Sequence, residues 1–178
     1  LDLMTTPSTE KVLVVVGKGN NGGDGLALAR LLKAHVAEVA VLCEFPPEAF
    51  SVDAGHQYRR AREAGVRFIA FDGFDTVLRE TTFIVDALFG VGLGDKPLGS
   101  DIVHVIEWVN LSWANGIPIL AIDIPSGVCS DTGRIPGLAI TATTTVTFGR
   151  PKPGLYLFPG ASRAGQIVIN DIGIPDES

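Results

Sequence analysis

The sequence predicts an α/β protein: a three-layer αβα sandwich built on a Rossmann-like, mostly parallel sheet. Short apolar runs rich in Val and Ile alternate with segments of helical periodicity, as in proteins whose parallel strands are joined by crossover helices. The first apolar run leads through a glycine-rich turn into a helix, over residues 12–28 (VLVVVGKGNNGGDGLAL). That order brings backbone N–H groups and a positive helix end to an anion. We expect one domain over residues 1–178.

Seven strands and four helices are predicted, and the helices separate the first five strands. Gly65 is a natural stop for the second helix, and Asp101 is a plausible N-cap region for the fourth. Four loops leave the carboxyl ends of strands, and we expect them to converge in one crevice, where ligands of such sheets bind. The strands are 12–16, 38–43, 66–71, 82–86, 117–123, 140–148 and 165–172; the helices are 24–35, 48–64, 74–80 and 101–115; the loops are 17–25, 87–100, 124–137 and 149–160.

Composition excludes several classes of partner. The net charge is -6, with a pI near 5.0 and no run of Lys or Arg, which argues against nucleic acid. No apolar run approaches the roughly 18 residues that a transmembrane helix needs. The two cysteines, Cys43 and Cys129, form no C-x-x-C pattern. We therefore expect a cytoplasmic protein that does not interact with membranes.

The glycine-rich turn satisfies G-x-G-x-x-G through Gly17, Gly19 and Gly22, after a strand and into a helix. Glu44 follows the second strand about 20 residues later, where a ribose-binding acid stands in dinucleotide-binding folds. An NAD(P)-dependent oxidoreductase is therefore a fair interpretation.

The residues between these glycines weaken that interpretation. Asn20, Asn21 and Asp24 put oxygen-bearing side chains where dinucleotide-binding turns usually carry apolar or small ones. They favour coordination of a ligand. The alternative is that they only shape the turn and cap the helix.

Two carboxylates end buried apolar strands, Asp86 and Asp123. A carboxylate there is costly unless it is paired, hydrogen-bonded or bound to a cation, although either could simply cap the following segment. Asn21, Asp86 and the Ser126 hydroxyl could offer hard oxygen ligands to one cation. Nothing suggests zinc, because there is no His/Cys cluster.

A serine hydrolase is a poor interpretation of Ser126. The segment Pro125-Ser126-Gly127 is not G-x-S-x-G, and the three histidines fall in predicted helices. A P-loop is excluded because no G-x-x-x-x-G-K-[ST] occurs.

Four ordered segments resemble the YjeF N-terminal domain, the family of NAD(P)H-hydrate epimerases. They are GKGNNGGDG at 17–25, VDALFGVGL at 85–93, AIDIPSGV at 121–128 and TFGRPKPGL at 147–155. The resemblance implies an isomerase that interconverts the R and S epimers of hydrated NADH or NADPH, after which a dehydratase repairs the S form. The dinucleotide would then be the substrate, and a potassium ion the cofactor.

The same resemblance implies roles for individual residues. Asp123 resembles the acid that contacts the substrate, and acid–base catalysis suits it. We add Lys152 as its electrostatic partner and expect both to be catalytic. Asn21, Asp86 and Ser126 resemble the potassium ligands. The residues resembling substrate-binding loops are Asn20, Asn21, Gly22, Gly23, Asp24, Gly90, Val91, Gly92, Leu93, Gly94, Asp95 and Lys96.

The chain departs from the family at its start, where only residues 1–11 precede the first strand. Members usually carry an N-terminal helical segment there, so a homodimer stays an open expectation. Residues 172–175 resemble the junction to a fused dehydratase, which is the expected partner. A non-catalytic scaffold module of the same fold remains a further alternative.

Overall fold

The computed structural model describes residue 4 and residues 6–43, 45–92 and 98–173. They form two compact units, Leu1–Phe89 (unit 1) and Gly90–Ser178 (unit 2). Within each unit the strands are parallel, and α-helices separate the strands of unit 1 and precede those of unit 2, which confirms the predicted α/β class. In the part of the chain described, no helix has the length and apolar character needed to cross a membrane.

Unit 1 is a parallel sheet in the order β3-β2-β1-β4. The β1 residues 12–16 are at most 2% exposed, as their unbroken valine and leucine run predicts. β1 pairs with β2 on one side and with β4 on the other. Its carboxyl end is therefore a point where the strand order reverses, the usual ligand position in open α/β sheets. The elements are β1 (Lys11–Val16), α1 (Asn20–Leu32), β2 (Glu38–Leu42), α2 (Val52–Glu63), β3 (Arg67–Ile69), α3 (Phe74–Glu80) and β4 (Phe83–Ala87).

Unit 2 contains three parallel strands in the order β5-β6-β7, preceded by one helix. The loops after β5 and β6 have an apolar core of their own, formed by Ile124, Val128, Ala139, Leu155 and Ala164. These loops are therefore packed parts of the unit. The elements are α4 (Ser100–Ala114), β5 (Ile119–Ile122), β6 (Thr144–Phe148) and β7 (Gln166–Asn170).

Two helices end in the same glycine-dependent way. After α2, Gly65 has φ +70, and the amides of Gly65 and Val66 donate to the carbonyls of Arg62 and Ala61. This is a Schellman motif, and it confirms the predicted stop at Gly65. After α4, Gly116 has φ +88 and closes the helix with an equivalent pair of hydrogen bonds.

The first two helices begin at different residues from those predicted. α1 begins at Asn20 and not at residue 24, and the Gly23 amide already donates to the Gly19 carbonyl at 3.1 Å. α2 begins at Val52 and not at residue 48, because Ser51 is extended and its hydroxyl accepts from the Ala54 amide.

The N-cap of α4 is Gly99, and Asp101, which the sequence predicts in the N-cap region, lies within the first turn of the helix.

β6 begins at Thr144 and not at residue 140. The amides of residues 140, 141 and 142 donate to the Ser126 carbonyl, the Asn110 side chain and the Arg163 carbonyl. The segment rich in Thr and Ile is therefore held by loop and helix partners, although its composition is typical of a strand.

Candidate functional site

Three glycines of the turn in unit 1 are required by close packing inside the protein. A Cβ added at Gly17 would lie 1.8 Å from the Leu88 carbonyl oxygen, and one at Gly22 would lie 1.8 Å from the Gly17 carbonyl oxygen. At Gly25 it would lie 2.5 Å from Ala87 Cβ. The beginning of α1 thus lies directly against the ends of β1 and β4, and no larger residue fits.

Gly19 differs from these three. It is the N-cap of α1, without a side-chain capping bond, and a Cβ there would meet nothing within 4 Å. The first amides of α1 begin at this exposed corner, at the carboxyl end of β1. An N-terminal helix end of this kind favours an anion, so Gly19 and Asn20 form the part of the motif open to a ligand.

Asn20, Asn21 and Asp24 lie in the first turns of α1, and none of them caps the helix. Asn20 is exposed, and its Oδ1 accepts from the Ser51 hydroxyl at 2.8 Å. Asp24 is exposed as well. Asn21 is partly buried, and its Nδ2 is a buried atom without a hydrogen-bond partner. A buried amide nitrogen without a hydrogen-bond partner is unusual in native structures.

Asp86 is the fourth residue of β4 and is completely buried. The Leu88 amide donates to its Oδ1 at 3.3 Å, so the carboxylate partly caps the turn that follows. A carboxylate with no exposed surface is costly unless it is hydrogen-bonded, paired or bound to a cation.

The second predicted substrate loop is only partly described. Gly90 is partly buried, Val91 and Gly92 are exposed, and a Cβ at Gly92 would meet nothing within 4 Å. Leu93, Gly94, Asp95 and Lys96 lie outside the described residues. Glu44, the candidate ribose-binding acid, lies outside them too.

In unit 2, Asp123 follows β5 with a left-handed backbone, φ +70. The Ile124 amide donates to the Ile122 carbonyl at 2.9 Å, so Asp123 is the central residue of a γ-turn, a conformation that is rare and strained for a residue other than glycine. Such strain costs of order 1–3 kcal/mol and is concentrated at functional sites.

The side chain of Asp123 meets Lys152 from the loop after β6. Lys152 Nζ lies 2.5 Å from Asp123 Oδ1, and the two side chains are 19% and 15% exposed. Lys152 Nζ also donates to the Phe148 carbonyl at 2.9 Å. Because β5 and β6 are parallel neighbours, their carboxyl ends bring Asp123 and Lys152 together, as the topology predicts. The result is a partly buried carboxylate paired with an ammonium group.

A third residue at this pair is one that the sequence interpretation missed. The hydroxyl of Thr147 in β6 donates to Asp123 Oδ1 at 3.3 Å, and Thr147 is completely buried. The sequence feature that could have indicated Thr147 was its position in the TFGRPKPGL segment. Threonine is common in strands, and nothing in the pattern distinguishes Thr147 from its neighbours.

Ser126 lies in the loop after β5 and is completely buried. Its carbonyl accepts from the Ile140 amide at 2.8 Å. Gly127 beside it has φ +97, and a Cβ there would lie 2.1 Å from the Leu138 carbonyl oxygen. The packed loop therefore fixes the position of the Ser126 backbone.

Cys129 lies in the same loop and is partly exposed. The pKa of its thiol is lowered by a hydrogen bond from the Thr132 side chain, and further by the backbone amides of Asp131 and Thr132. These donors stabilise the thiolate.

A small cavity in unit 1 lies at the opposite end of the sheet. It has a volume of about 70 Å³, and its lining includes Lys11, Glu38 and Arg67, the first residues of β1, β2 and β3. Two ion pairs, Lys11–Glu80 at 2.7 Å and Arg67–Glu38 at 2.6 Å, already join its charges. We therefore take the carboxyl ends of the strands, and not this cavity, as the candidate site.

Sequence comparison finds close relatives. A bifunctional NAD(P)H-hydrate repair enzyme Nnr from Thermofilum pendens is 39% identical over 91% of this chain and 31% of its own length. An NAD(P)H-hydrate epimerase from Weissella koreensis is 42% identical over 92% of this chain and 71% of its own length. The chain thus spans about a third of the length of the bifunctional relative.

Structural and family comparisons agree with these relatives. The crystal structure of yeast ynu0 (YNL200c) matches with a TM-score of 0.76 and 27% identity, over 97% of this chain and 70% of that one. The family model described as YjeF-related protein N-terminus matches residues 1–154. The chain belongs to this family of YjeF-related protein N-terminal domains.

Proposed function

We propose that this chain is an NAD(P)H-hydrate epimerase, which interconverts the R and S forms of hydrated NADH and NADPH. The observation that carries the proposal is the Asp123 carboxylate, held in a strained turn against Lys152 at the carboxyl end of β5. The Weissella koreensis relative, named as an NAD(P)H-hydrate epimerase, supports the same activity.

The reaction suits a carboxylate and an ammonium group. Inverting the hydroxylated ring carbon moves no electrons to an acceptor and consumes no net water. It requires a proton for the departing hydroxyl and removal of a proton when oxygen returns to the other face. In this proposal Asp123 exchanges those protons, and its charge also stabilises a cationic or ring-opened intermediate. Lys152 holds the carboxylate oxygen in place.

Binding of the pyrophosphate is assigned to unit 1. The pyrophosphate would lie at the N-terminus of α1, where Gly19 leaves space and the first amides are oriented toward the anion. We propose Asn20 to Asp24 and Gly90 to Lys96 as the substrate-contacting segments, as the family resemblance implies.

We propose a potassium ion as the cofactor. Asn21, Asp86 and Ser126 are the ligands that the resemblance implies, and amide, carboxylate and hydroxyl oxygens suit a hard cation. The unpaired buried amide of Asn21 fits this chemistry, since the two ends of an amide exchange places on rotation by 180°. The amide, carboxylate and hydroxyl donors of this proposed set differ from the Cys and His ligands that are typical of structural zinc sites.

A dehydratase specific for the S form is the proposed partner, since the bifunctional relatives are named as hydrate repair enzymes. The cytoplasm is the proposed compartment, because neither Cys43 nor Cys129 forms a disulfide.

One assay tests the function. A mixture of R and S hydrated NADPH is incubated with an S-specific dehydratase, and consumption of the R form is followed after this protein is added. We expect complete conversion to NADPH. No acceleration by folded, potassium-supplied protein would refute the proposal, and oxidation of NADPH instead would favour the oxidoreductase.

Asp123→Asn tests the assigned acid. Loss of a general acid–base should lower kcat about 10²–10⁴-fold, with little change in affinity for the hydrated dinucleotide. Asp131→Asn, an exposed carboxylate in the same loop, is the matched control and should keep its activity. Equal losses in kcat and affinity would assign Asp123 to binding alone.

The proposed potassium site is tested by thermal stability, which needs no activity assay. If potassium is present at about ten times its Kd, the melting temperature should be roughly 3–6 °C higher than in lithium. Asn21→Ala should abolish this difference, whereas Asn20→Ala should preserve it. Equal melting temperatures of the wild-type protein in the two salts would refute the potassium site.

A further inference from the structure

The orientation of the Asp123 carboxylate needs an explanation beyond the turn itself. The γ-turn fixes the backbone of Asp123, and the Asp123 amide donates to the Val146 carbonyl at 2.7 Å. Neither interaction restricts rotation of the side chain. A catalytic carboxylate must nonetheless keep one orientation, since a misplacement of about 1 Å can cost 10²-fold in rate.

Two donors bind the same oxygen of that carboxylate. Lys152 Nζ lies 2.5 Å from Oδ1, and the Thr147 hydroxyl donates to Oδ1 at 3.3 Å. Neither contact involves Oδ2. The ammonium group alone is a flexible point charge on a long stem. Thr147 is different, because its side chain is short and its backbone belongs to the sheet.

The position of Thr147 is rigid. It lies in β6, paired in register with Ile169 of β7, and is completely buried. A buried hydroxyl must be hydrogen-bonded to be tolerated, and the acceptor of the Thr147 hydroxyl is Asp123 Oδ1. Thr145, two residues earlier on the same strand, is equally buried, but its hydroxyl donates to the Ala164 carbonyl at 2.7 Å. The hydrogen bond of the Thr145 hydroxyl therefore joins β6 to the Ala164 backbone and does not involve Asp123.

From these contacts we infer that Thr147 is a positioning residue for Asp123: its buried hydroxyl and the Lys152 ammonium bind one carboxylate oxygen and direct the other to the substrate. The inference rests on the proposed function. It adds to the reaction a residue that acts through Asp123.

The experiment compares Thr147→Val, Thr147→Ser and the control Thr145→Val. Thr147→Val should lower kcat on the order of 10–100-fold, while KM changes less than about threefold, because the residue orients the acid and does not bind the dinucleotide. Thr147→Ser keeps the donor and should recover most of kcat. Thr145→Val should lose stability and keep kcat. Unchanged kcat in Thr147→Val, or the same loss in Thr145→Val, would overturn the inference.

A crystallographic measurement separates this inference from the epimerase proposal. In crystals of Thr147→Val, the Asp123 carboxylate should be rotated from its wild-type orientation, and in Thr145→Val it should be unchanged. An inactive wild-type protein would refute the epimerase proposal. The comparison of the Asp123 orientation in the two variants would still test the positioning role of Thr147. An unrotated carboxylate in Thr147→Val would refute the positioning role whether or not the enzyme is active.

Discussion

Replacing Asp123 with glycine and with alanine measures the strain stored in its turn. Both variants lose the contacts with Lys152 and Thr147, so their difference in stability reports the backbone alone. At φ +70 a residue with a Cβ pays about 1–2 kcal/mol. Glycine avoids that cost but loses about 0.4–1 kcal/mol through its more flexible unfolded chain. We therefore expect Asp123→Gly to be more stable than Asp123→Ala by roughly 1 kcal/mol.

Thermal unfolding followed by circular dichroism measures this difference. For a chain of this size roughly 1 kcal/mol corresponds to about 2–4 °C in Tm. The control is Asp101, an exposed residue in the first turn of α4, where alanine is the better helix former by about 1 kcal/mol. The order of the two variants should therefore invert. The glycine variant should have the higher Tm at position 123 and the lower Tm at position 101.

The result that would refute the reasoning is an Asp123→Ala variant as stable as Asp123→Gly, or more stable, with the expected order at position 101. The backbone at Asp123 would then be unstrained, and the γ-turn could not be regarded as a conformation maintained for function.

Further predictions concern the glycines and the thiol. Gly17→Ala and Gly22→Ala should each unfold the protein or lower Tm by well over 5 °C, since each Cβ would meet a backbone oxygen at 1.8 Å. Gly19→Ala meets nothing within 4 Å and should cost about 1 kcal/mol or less as an N-cap change; equal losses at all three would contradict the packing argument. Because the pKa of Cys129 is lowered, its alkylation by iodoacetamide should reach half its maximal rate at a lower pH than that of glutathione. Peptide mass spectrometry measures this rate, and a midpoint at or above that of glutathione would refute the shift.

Much of the fold follows from local sequence signals. The valine run of β1 is as buried as its composition predicts, and Gly65 ends α2 in the left-handed conformation that only glycine adopts freely. The proximity of Asp123 and Lys152 follows from topology, because both residues lie beyond the carboxyl ends of adjacent parallel strands. Their catalytic roles stay predictions.

What the sequence could not predict depends on contacts between distant residues. The sequence pattern predicts the start of β6 four residues too early. In the structure the Ile140 and Thr141 amides donate to Ser126 and Asn110, and no local sequence pattern indicates such distant partners. Thr147 was missed for the same reason. Its acceptor, Asp123, is 24 residues away, and a threonine that orients an acid has the same strand preference as one that only fills the sheet.

The glycine-rich segment shows why a matched motif alone does not define a ligand. Gly17 and Gly22 fit the dinucleotide fingerprint, yet the structure requires both for internal packing, a demand shared by any helix that starts tightly against a strand. Of the fingerprint glycines, only Gly19 faces open space. What distinguishes this turn is Asn21, whose buried amide is unpaired. We therefore expect the residues between the glycines, and not the glycines, to determine which ligand this turn binds.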